Sequence, residues 1–399
     1  SNELIYLLDN SDSEAVFYQG CYANQIKKIR DDLPKVKAWI QLEDSTPLLE
    51  GSHAYSEIVR STSPMPRIDR NEDNIYMLYT GGTTGMPKGV MYTHGGFVTS
   101  MLKTLKGMGI DVPDELADLK DTILNLDENG ELAKSLVACP LMHGTGMWLG
   151  GFLAHLLGGC VVTTPNLGLD TKLLWEEVDR VGVTNIIIVG DSFAKPMVKE
   201  LDRAVAENKP YNLSTLKLIY SSGVMFSADV KASLLEHHDM VLMDAMGSSE
   251  GGMGSSVTTR EDGSATAKFR LNPGVVVVSD EGEEVLPGSG VRGLIGTSGL
   301  VPDGYYKDKE KSDATFKEFN GTRYSFPGDY ALVEIDGTIT LLGRGSNCIN
   351  SAGEKIYPEE VEEALKLNIN VYDSLVVGLP DEKFGNKVVG VVSLAEDCE

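Results

Sequence analysis

A segment rich in glycine and threonine near residue 80 has the residue types that bind phosphate groups. It runs YTGGTTGMPKG over residues 79–89. Glycine lets the backbone turn sharply and bring several N–H groups close to an anion. Threonine hydroxyls can donate to phosphate oxygens, and a lysine ammonium supplies positive charge. The sequence therefore predicts a phosphate-binding loop formed by Thr80, Gly81, Gly82, Thr83, Thr84, Gly85 and Lys88.

This loop differs from the signature of P-loop NTPases. Lys88 lies between Pro87 and Gly89, whereas the P-loop motif needs Gly-Lys-Ser/Thr at the start of a helix. The apolar and aromatic residues 74–79 predict a short buried strand that leads into the loop. The structural alternative is a flexible Gly/Thr turn between two strands, because short motifs also match by chance.

Further candidate residues follow apolar runs that predict buried parallel strands, at residues 185–191, 216–223 and 240–247. Each run ends in small residues, and ligands of open α/β sheets bind at the carboxyl ends of the strands. His143 follows another short predicted strand, with a core histidine beneath a helix start as its alternative. For Glu250 the alternative is a carboxylate favoured by a helix N-terminus.

The elements around these residues predict an α/β protein with an antiparallel β region. Near the N-terminus, helices at 3–12 and 24–30 alternate with strands at 15–19 and 36–42, as parallel sheets require. Residues 107–134 are acidic and polar, which predicts a surface segment. From about residue 263, short β runs separated by turns predict a small antiparallel sheet or barrel, with runs at 275–279, 293–297, 330–335 and 338–342 and an Asp336-Gly337 hairpin turn.

Composition excludes several classes of partner. The 399 residues leave room for a large core and more than one domain. The net charge of −24 argues against nucleic acid and against an anionic membrane surface. Five widely spaced cysteines without a C-x-x-C pair favour a reducing cytosol, and hence a cytoplasmic protein. The apolar stretch 147–164 is interrupted by His155 and four glycines, so no transmembrane segment is predicted.

The loop at 79–89 resembles the phosphate-binding signature of the adenylate-forming superfamily, which includes acyl-CoA synthetases, luciferases and peptide-synthetase adenylation domains. Further segments resemble motifs of this family and follow in the family's order: PLMHGTG at 140–146, MGSSE at 246–250, YSFPGD at 324–329 and GRGSNCINSAGEKIYPEE at 343–360. The last of these is most similar to fatty-acyl and steroid-side-chain CoA ligases. The chain departs from the family at Gly81 or Gly82, where serine is usual, at Met246, where an aromatic residue is common, and at Ser346-Asn347 in the hinge.

The resemblance implies the roles of the remaining site residues. It assigns ATP, Mg²⁺ and CoA as ligands. His143 would lie beside the reacting carboxylate, with Met147, Trp148 and residues 190–192 near the acyl chain. Ser249 would position the α-phosphate, and Glu250 would hold Mg²⁺. The segment Ser222-Gly223-Val224 would lie along the adenine plane, and Met246 would cover an adenine face. The other implied nucleotide- and CoA-binding residues are Gly247, Ser248, Asp329, Arg344 and Gly353.

The same resemblance implies the domain organisation. A large α/β domain would span residues 3–262 with its N-terminal part missing, and an attached β subdomain would span 263–343. A hinge at 344–347 would lead into the beginning of a small α+β C-terminal domain at 348–399. The family continues into a Pro-x-Gly-Lys segment whose lysine helps to form the acyl-adenylate. A chain truncated at both ends is therefore expected to bind nucleotide and to adenylate poorly.

The expected function is that of an acyl-CoA synthetase. A carboxylate, such as a fatty acid or related hydrophobic acid, would react with ATP to give acyl-AMP and pyrophosphate, and CoA would then take the acyl group. Two alternatives stay open at this point. The thiol acceptor could be a carrier protein, or the chain could be a nucleotide- or acyl-binding protein that does not catalyse. The sequence leaves homo-oligomerisation open.

Overall fold

The computed structural model describes residues 2–82, 85–166, 168–261, 268–345, 348–351, 354–368, 370–381 and 385–394. The chain divides into two compact units. The first comprises Ser1–Gly95 and Pro302–Asp313, and the second comprises Gly96–Val301 and Ala314–Glu399. The domain boundaries expected after residues 262, 343 and 347 stay predictions.

The helices of the described residues are short to medium in length. In chain order they are α1 Asn2–Asn10, α2 Ala23–Ile29, α3 Tyr55–Ser61, α4 His94–Gly107, α5 Leu119–Glu128, α6 Leu153–Leu156, α7 Thr171–Val181, α8 Asp191–Ala206, α9 Ala228–His237, α10 Lys309–Thr315 and α11 Pro358–Lys366. A π-helix, Thr145–Phe152, comes directly before α6. Within the described ranges, no helix is both long and apolar enough to cross a lipid bilayer.

The strands form parallel and antiparallel sheets, which confirms the mixed α/β class. In chain order they are β1 Ala15–Gln19, β2 Ala38–Leu42, β3 His53–Ala54, β4 Ile75–Gly82, β5 Gly85–Thr93, β6 Lys134–Val137, β7 Cys160–Val162, β8 Asn185–Ile188, β9 Leu218–Ser222, β10 Val241–Ser248, β11 Gly251–Thr258, β12 Lys268–Leu271, β13 Val275–Val278, β14 Arg292–Thr297, β15 Gly304–Tyr305, β16 Phe316–Phe319, β17 Thr322–Ser325, β18 Asp329–Val333, β19 Thr338–Arg344, β20 Ile349–Ser351, β21 Glu354–Ile356, β22 Val371–Asp381 and β23 Gly385–Leu394.

The first unit contains two small sheets. Strands β1, β2 and β3 pair in parallel, as the alternation of helix and strand near the N-terminus predicted. Their buried face packs on α2 around Ile26, Ile29 and Trp39. Strands β4, β5 and β15 form an antiparallel sheet. The predicted phosphate-binding loop is therefore the tip of the β4–β5 hairpin, and its strands extend to Gly82 and from Gly85.

The hairpin differs from the predicted buried strand. Ile75 is 45% exposed, and the other residues of the first half of β4 are half-buried. Thr80 pairs with Lys88 and Gly82 with Gly85, so most of the glycine-rich segment is β-structure. The reason is that glycine and threonine residues can also form the backbone hydrogen bonds of a β-ladder when an antiparallel strand follows within a few residues.

The second unit is built on one large mixed sheet. Its parallel part has the order β10-β9-β8-β6-β7, and the antiparallel strands β11, β12, β19, β18, β14, β17 and β16 continue from the β10 edge. The three predicted parallel strands are confirmed. The antiparallel region, predicted as a small sheet or barrel, is continuous with the parallel strands through the pairing of β10 with β11. The main core lies under the parallel part, around Trp175, Ile186, Ile188 and Met197.

Two stretches were predicted incompletely. The segment 107–134, expected as polar surface, contains α5, and Leu119 at its start is buried. The helix expected from Met147 is a π-helix for its first two turns. After β19 the described residues form the β20–β21 pair, α11 and the long β22–β23 hairpin.

Candidate active site

Four predicted site segments lie at one edge of the parallel sheet. His143 follows β6, residues 190–192 follow β8, residues 222–224 end β9, and residues 247–250 end β10. The four strands are neighbours in the order β10-β9-β8-β6 and run in the same direction. Because carboxyl ends of parallel strands meet at the same edge, the topology brings these segments together.

His143 lies next to the predicted adenine segment. A Cβ atom added to Gly223 would be 3.7 Å from Cε1 of His143 and 4.0 Å from Oγ1 of Thr145. The backbone N–H of Thr145 donates to Nδ1 of His143 at 3.3 Å. With Nδ1 as the acceptor, the neutral imidazole holds its proton on Nε2, which faces away from this hydrogen bond. The side chain is exposed, so it is accessible to a ligand.

The turn after β8 packs behind the same segment. The N–H of Gly190 donates to the buried Oγ of Ser221 at 2.9 Å, and the N–H of Asp191 donates to the carbonyl of Met225 at 2.8 Å. Gly190 has φ +56°, and a Cβ there would lie 2.3 Å from the Met225 carbonyl oxygen. Only glycine fits this turn, since a side chain would clash with backbone atoms. Its predicted contact with an acyl chain stays a prediction.

The turn between β10 and β11 presents the predicted catalytic pair. Gly247 pairs with Gly252, and a Cβ on Gly247 would lie 3.0 Å from the carbonyl oxygen of Gly251. The Oγ of Ser248 accepts the backbone N–H of Glu250 at 3.1 Å. The Glu250 side chain is only 8% exposed. A tight, glycine-based turn therefore fixes Ser249 and Glu250 at the strand end.

Met246, which the resemblance assigns to adenine, lies on β10 directly before this turn. Its side chain is buried in the antiparallel core with Met253, Phe269 and Val277. The β-bulge that follows Met246 redirects the chain toward Gly247. An adenine contact of this residue stays a prediction.

Asp329 and Arg344 are brought together by the antiparallel part. They pair in register between β18 and β19, and Nε of Arg344 donates to Oδ1 of Asp329 at 3.4 Å. The other oxygen, Oδ2, is buried and has no hydrogen-bond partner among the described residues. An unpaired buried acceptor of this kind is costly, and a ligand hydroxyl would satisfy it.

The electrostatics of Asp329 connect it to the β10–β11 turn. Burial raises the pKa of the Asp329 carboxyl above its ordinary value, and the Arg344 guanidinium opposes this shift. The carboxylate of Glu250 raises the same pKa further, which places the two acidic groups within electrostatic range of each other. Arg344 is partly exposed, so its guanidinium can also reach a bound anion.

The lysine of the glycine-rich hairpin is held by an aromatic ring in the first unit. Nζ of Lys88 lies 5.2 Å from the centroid of the buried Tyr305 ring. Tyr305 pairs with Val90 between β15 and β5, and the N–H of Tyr306 donates to the carbonyl of Gly89 at 2.8 Å. A cation over a ring face in this way is attracted by the negative face of the ring.

Some predicted site residues lie outside the described residues. These are Thr83, Thr84 and Gly353, together with Ser346-Asn347 of the predicted hinge. Of the predicted acyl-site residues, Trp148 is half-buried and contacts Phe97 edge-on, with ring centroids 5.5 Å apart.

Sequence reasoning missed two features of the site region. One is Tyr305, whose contact with Lys88 depends on the pairing of distant strands and leaves no local signal. The other is the buried pair of Lys231 and Asp244, 3.7 Å apart. Asp244 interrupts the apolar run 240–246, and an acidic residue in a buried strand was a signal that a partner charge had to be nearby.

Comparison with known proteins shows which family the chain resembles. A model of the family described as AMP-binding enzyme matches residues 1–306. The chain is 40% identical over 411 residues to a 3-oxocholest-4-en-26-oate–CoA ligase of Rhodococcus rhodochrous, covering 99% of this chain and 71% of that protein. It is 34% identical over 403 residues to the medium-chain acyl-CoA ligase Mig of Mycobacterium avium, covering 99% and 71%.

Solved structures agree on the fold. An anthranilate CoA ligase, AuaEII, in complex with anthranoyl-AMP matches with a TM-score of 0.78 at 20% identity, covering 100% of this chain and 71% of that one. ATP-bound MatB from Rhodopseudomonas palustris matches with a TM-score of 0.77 at 20% identity, covering 100% and 72%.

The chain belongs to the AMP-binding enzyme family, the adenylate-forming enzymes that its ordered motifs resemble. Within that family it falls in the acyl-CoA synthetase branch, and it is an acid–thiol ligase that acts with ATP and CoA. The family membership and the enzyme class expected from the motifs are thus confirmed.

Proposed function

We propose that the protein activates a hydrophobic carboxylic acid, either a medium- or long-chain fatty acid or the side-chain carboxylate of a steroid. Relatives of 38–40% identity that cover nearly the whole chain are named for these acids. Small changes in a hydrophobic pocket shift preference among such acids by only one or two orders of magnitude, so a panel of acids is needed.

The single observation that supports nucleotide binding most directly is the buried Oδ2 of Asp329, which has no hydrogen-bond partner within the part of the chain that the structure describes. A carboxylate can accept hydrogen bonds from two vicinal hydroxyls, so we assign it to the ribose of ATP. Arg344, already bonded to Oδ1, would contact the ribose or a phosphate. In the first unit, Thr80–Thr84 and Lys88 are assigned to phosphate groups.

The chemistry requires positioning more than acid–base catalysis. A carboxylate is ionised at neutral pH, so it needs no general base. Its oxygen forms a bond to the α-phosphorus, and the bond from that phosphorus to the bridging oxygen breaks to release pyrophosphate. Ser249 would orient the α-phosphate, and the Nε2–H of His143 would orient the incoming carboxylate. Alignment of this kind supplies most of the rate in phosphoryl chemistry.

The second step moves the acyl group to sulfur. The thiolate of CoA forms a bond to the acyl carbon, and the bond from that carbon to AMP breaks, releasing AMP. Gly353 is assigned to the pantetheine arm because a residue without a side chain lets the backbone approach closely.

Glu250 fits a magnesium ion. Enzymes that use ATP bind Mg²⁺ through one or two carboxylates together with substrate phosphates, and Glu250 is a buried carboxylate with a second one, Asp329, within electrostatic range. When bound, Mg²⁺ would neutralise charge that develops on the phosphate oxygens.

The test is carboxylate-dependent exchange of pyrophosphate into ATP, run on the 399-residue chain and on the product of the whole gene. The panel holds short, medium and long fatty acids, aryl acids and steroid side-chain acids. Exchange with the hydrophobic acids, followed by thioester formation with CoA, is expected. Thioester formation only with an acyl carrier protein would change the acceptor, and ATP binding without exchange would favour a non-catalytic binding protein.

We also propose a cytoplasmic location. The acidic composition and the widely spaced cysteines support it. Cell fractionation with activity measured in each fraction tests it, and activity retained in the membrane pellet would contradict it.

A further inference from the structure

A buried lysine lies beneath the predicted adenine segment. Lys231 on α9 is 1% exposed and Asp244 on β10 is 4% exposed. Their Nζ and Oδ2 atoms are 3.7 Å apart, and the same Nζ lies 5.1 Å from the centroid of the buried Phe226 ring. An ammonium so far from water is costly unless other groups hold it.

A second carboxylate acts on the same group. Burial lowers the pKa of the Lys231 ammonium, while Asp244 and Asp191 oppose that shift. Burial also raises the pKa of the Asp244 carboxyl to about 6, with Lys231 opposing and Asp191 adding to the rise. Asp191 is itself fixed, because its Oδ1 accepts the backbone N–H of Ser227 at 2.9 Å.

These groups belong to three neighbouring parallel strands or to the segments that follow them. Asp191 begins α8 after β8, Phe226 and Ser227 belong to the loop after β9, and Asp244 lies on β10. Asp244 pairs in register with Ser221, whose Oγ accepts the N–H of Gly190. Lys231 therefore lies in a charged cluster that connects three neighbouring strands, two of which lead into segments assigned to the nucleotide.

The exposed segment between these fixed points is the one assigned to adenine. Ser221 and Phe226 are both fully buried, whereas Gly223 and Val224 between them are exposed. The position of the exposed residues is thus set by how the buried ones on either side are held.

We propose that Lys231 is a positioning residue for the nucleotide. It holds the loop from Ser222 to Ser227 against β10 through its ion pair with Asp244 and its contact with Phe226, with Asp191 adding electrostatic attraction. The proposal rests on the assignment of this loop to ATP under the proposed function. Lys231 is too buried to touch a ligand, so its effect is transmitted through the loop.

The experiment compares Lys231→Met with the double variant Lys231→Met/Asp244→Leu. An apolar pair of similar volume commonly keeps a buried ion-pair site folded, whereas removing one partner leaves a charge alone. Carboxylate-dependent exchange is measured with ATP and with GTP. We expect the KM for ATP to rise by about 10- to 100-fold, the preference for ATP over GTP to fall, and the KM for the carboxylate to change by less than about twofold.

Those readouts separate positioning from stability. Loss of folded protein lowers the maximal rate but changes neither KM nor base preference. Glu200→Gln is the matched control, because it alters a charged group of α8 that is bonded to Arg203 and Tyr211 and has no part in the nucleotide site. It should leave both readouts at their wild-type values.

A double variant with wild-type KM for ATP and wild-type base preference would overturn the proposal. If that variant does not fold, Asp244→Asn decides by the same two readouts. If the wild-type protein shows no exchange, the proposed function fails separately, and the ratio of Kd values for ATP and GTP in equilibrium dialysis then decides for the variants. An unchanged ratio overturns the role of Lys231.

Discussion

At the scale of single residues, the Asp329 carboxylate offers the most direct test of nucleotide binding. One of its oxygens is buried without a hydrogen-bond partner in the described ranges, and the other is bonded to a charged residue on the next strand. A hydrogen bond to a charged group is worth about 1.5–3 kcal/mol, which corresponds to roughly a 10- to 150-fold change in affinity.

We expect Asp329→Asn to raise the Kd for ATP by about that factor and to weaken the discrimination between ATP and 2′-deoxy-ATP. Isothermal titration with both nucleotides measures this. Asp336→Asn is the control, since that carboxylate accepts from Thr338 at a hairpin turn of the same sheet. Unchanged discrimination in the Asp329 variant would remove the residue from the ribose site.

Arg344→Met should move the pH dependence of ATP binding. The Asp329 carboxyl must be ionised to accept two hydroxyls, so binding is lost as the pH falls through its pKa. Burial already raises that pKa above the ordinary 3.8, and Arg344 works against the shift. Removing the guanidinium should therefore raise the pKa further and shift the acid limb of binding to higher pH. A limb that stays in place or moves to lower pH in the titration series would contradict the pairing.

Glu200→Gln should change stability in a pH-dependent way. Hydrogen bonds from Arg203, and from Tyr211, lower the pKa of the Glu200 carboxyl from 4.5 to about 2, despite the opposing effect of burial. The stabilisation from these bonds is complete above pH 4.5 and is lost as the pH falls toward 2. The variant should lose about 1–3 kcal/mol at pH 7, and the difference should shrink below pH 4.5. Urea unfolding at several pH values checks this, and a constant difference would refute it.

At the scale of elements, a glycine in the turn after β8 allows that turn to pack closely against the segment assigned to adenine. Gly190 and Gly182 both have positive φ, at 56° and 69°. An added Cβ at Gly182 would have its nearest neighbour, Thr215, at 3.6 Å, whereas at Gly190 it would clash with two backbone carbonyls of the adenine segment. Gly182 therefore provides a control for the backbone conformation alone.

We expect Gly182→Ala to cost about 1–2 kcal/mol of stability without changing ATP binding. Gly190→Ala should lose stability and also raise the Kd for ATP, because it displaces the carbonyls of Val224 and Met225. Thermal unfolding and nucleotide titration of both variants separate the two effects. Equal Kd values would mean that the turn and the adenine segment are not coupled.

The sequence predicted those elements whose signal is local. The apolar runs that became β8, β9 and β10 were found because a strand buried on both faces is apolar throughout. The helix α5 was missed because its segment is mostly polar and acidic, and the π-helix at Thr145–Phe152 has the same apolar pattern as an α-helix. The joining of the antiparallel strands to β10 could not be predicted, since strand order depends on pairing between distant residues.

The same distinction holds for the site. The segments around His143, Glu250 and Asp329 were predicted from motifs. Contacts such as the one between Ser221 and Gly190 came only from the structure, because it joins residues 31 positions apart. Met246 was assigned to adenine by resemblance, and the structure adds that its side chain packs in the antiparallel core next to a β-bulge.

At the scale of the whole molecule, a hydrogen bond joins the start of the C-terminal segment to the large sheet. The hydroxyl of Tyr357 accepts a hydrogen bond from Nη1 of Arg292 at 2.5 Å, and this guanidinium also bonds to Asp280 and lies over the ring of Tyr330. Tyr357 comes after the predicted hinge, so the contact restrains the segment that the hinge would move.

Tyr357→Phe should loosen this segment while leaving the ring in place. Loss of one hydrogen bond to a charged group should increase amide exchange in residues 348–394 by about 10- to 100-fold. Hydrogen–deuterium exchange read by mass spectrometry measures this, with β8 and β9 as internal reference. Tyr372→Phe is the control, because the contacts of that residue with Lys195 use its backbone carbonyl and its ring. Equal exchange in wild type and Tyr357→Phe would show that the contact does not restrain the segment.

The continuous sheet of the second unit also determines where a segment of this chain can be replaced by the corresponding segment of a relative. In a chimera of two family members, a junction between β10 and β12 would place strands from two different proteins side by side in one ladder. Those strands would have to match in hydrogen-bond register and twist. A crossover after β19 leaves every strand of that sheet from one parent. Recombinants of this family should therefore survive more often when the junction falls beyond Arg344 than when it divides the sheet, and acyl specificity should be inherited with the sheet as a block.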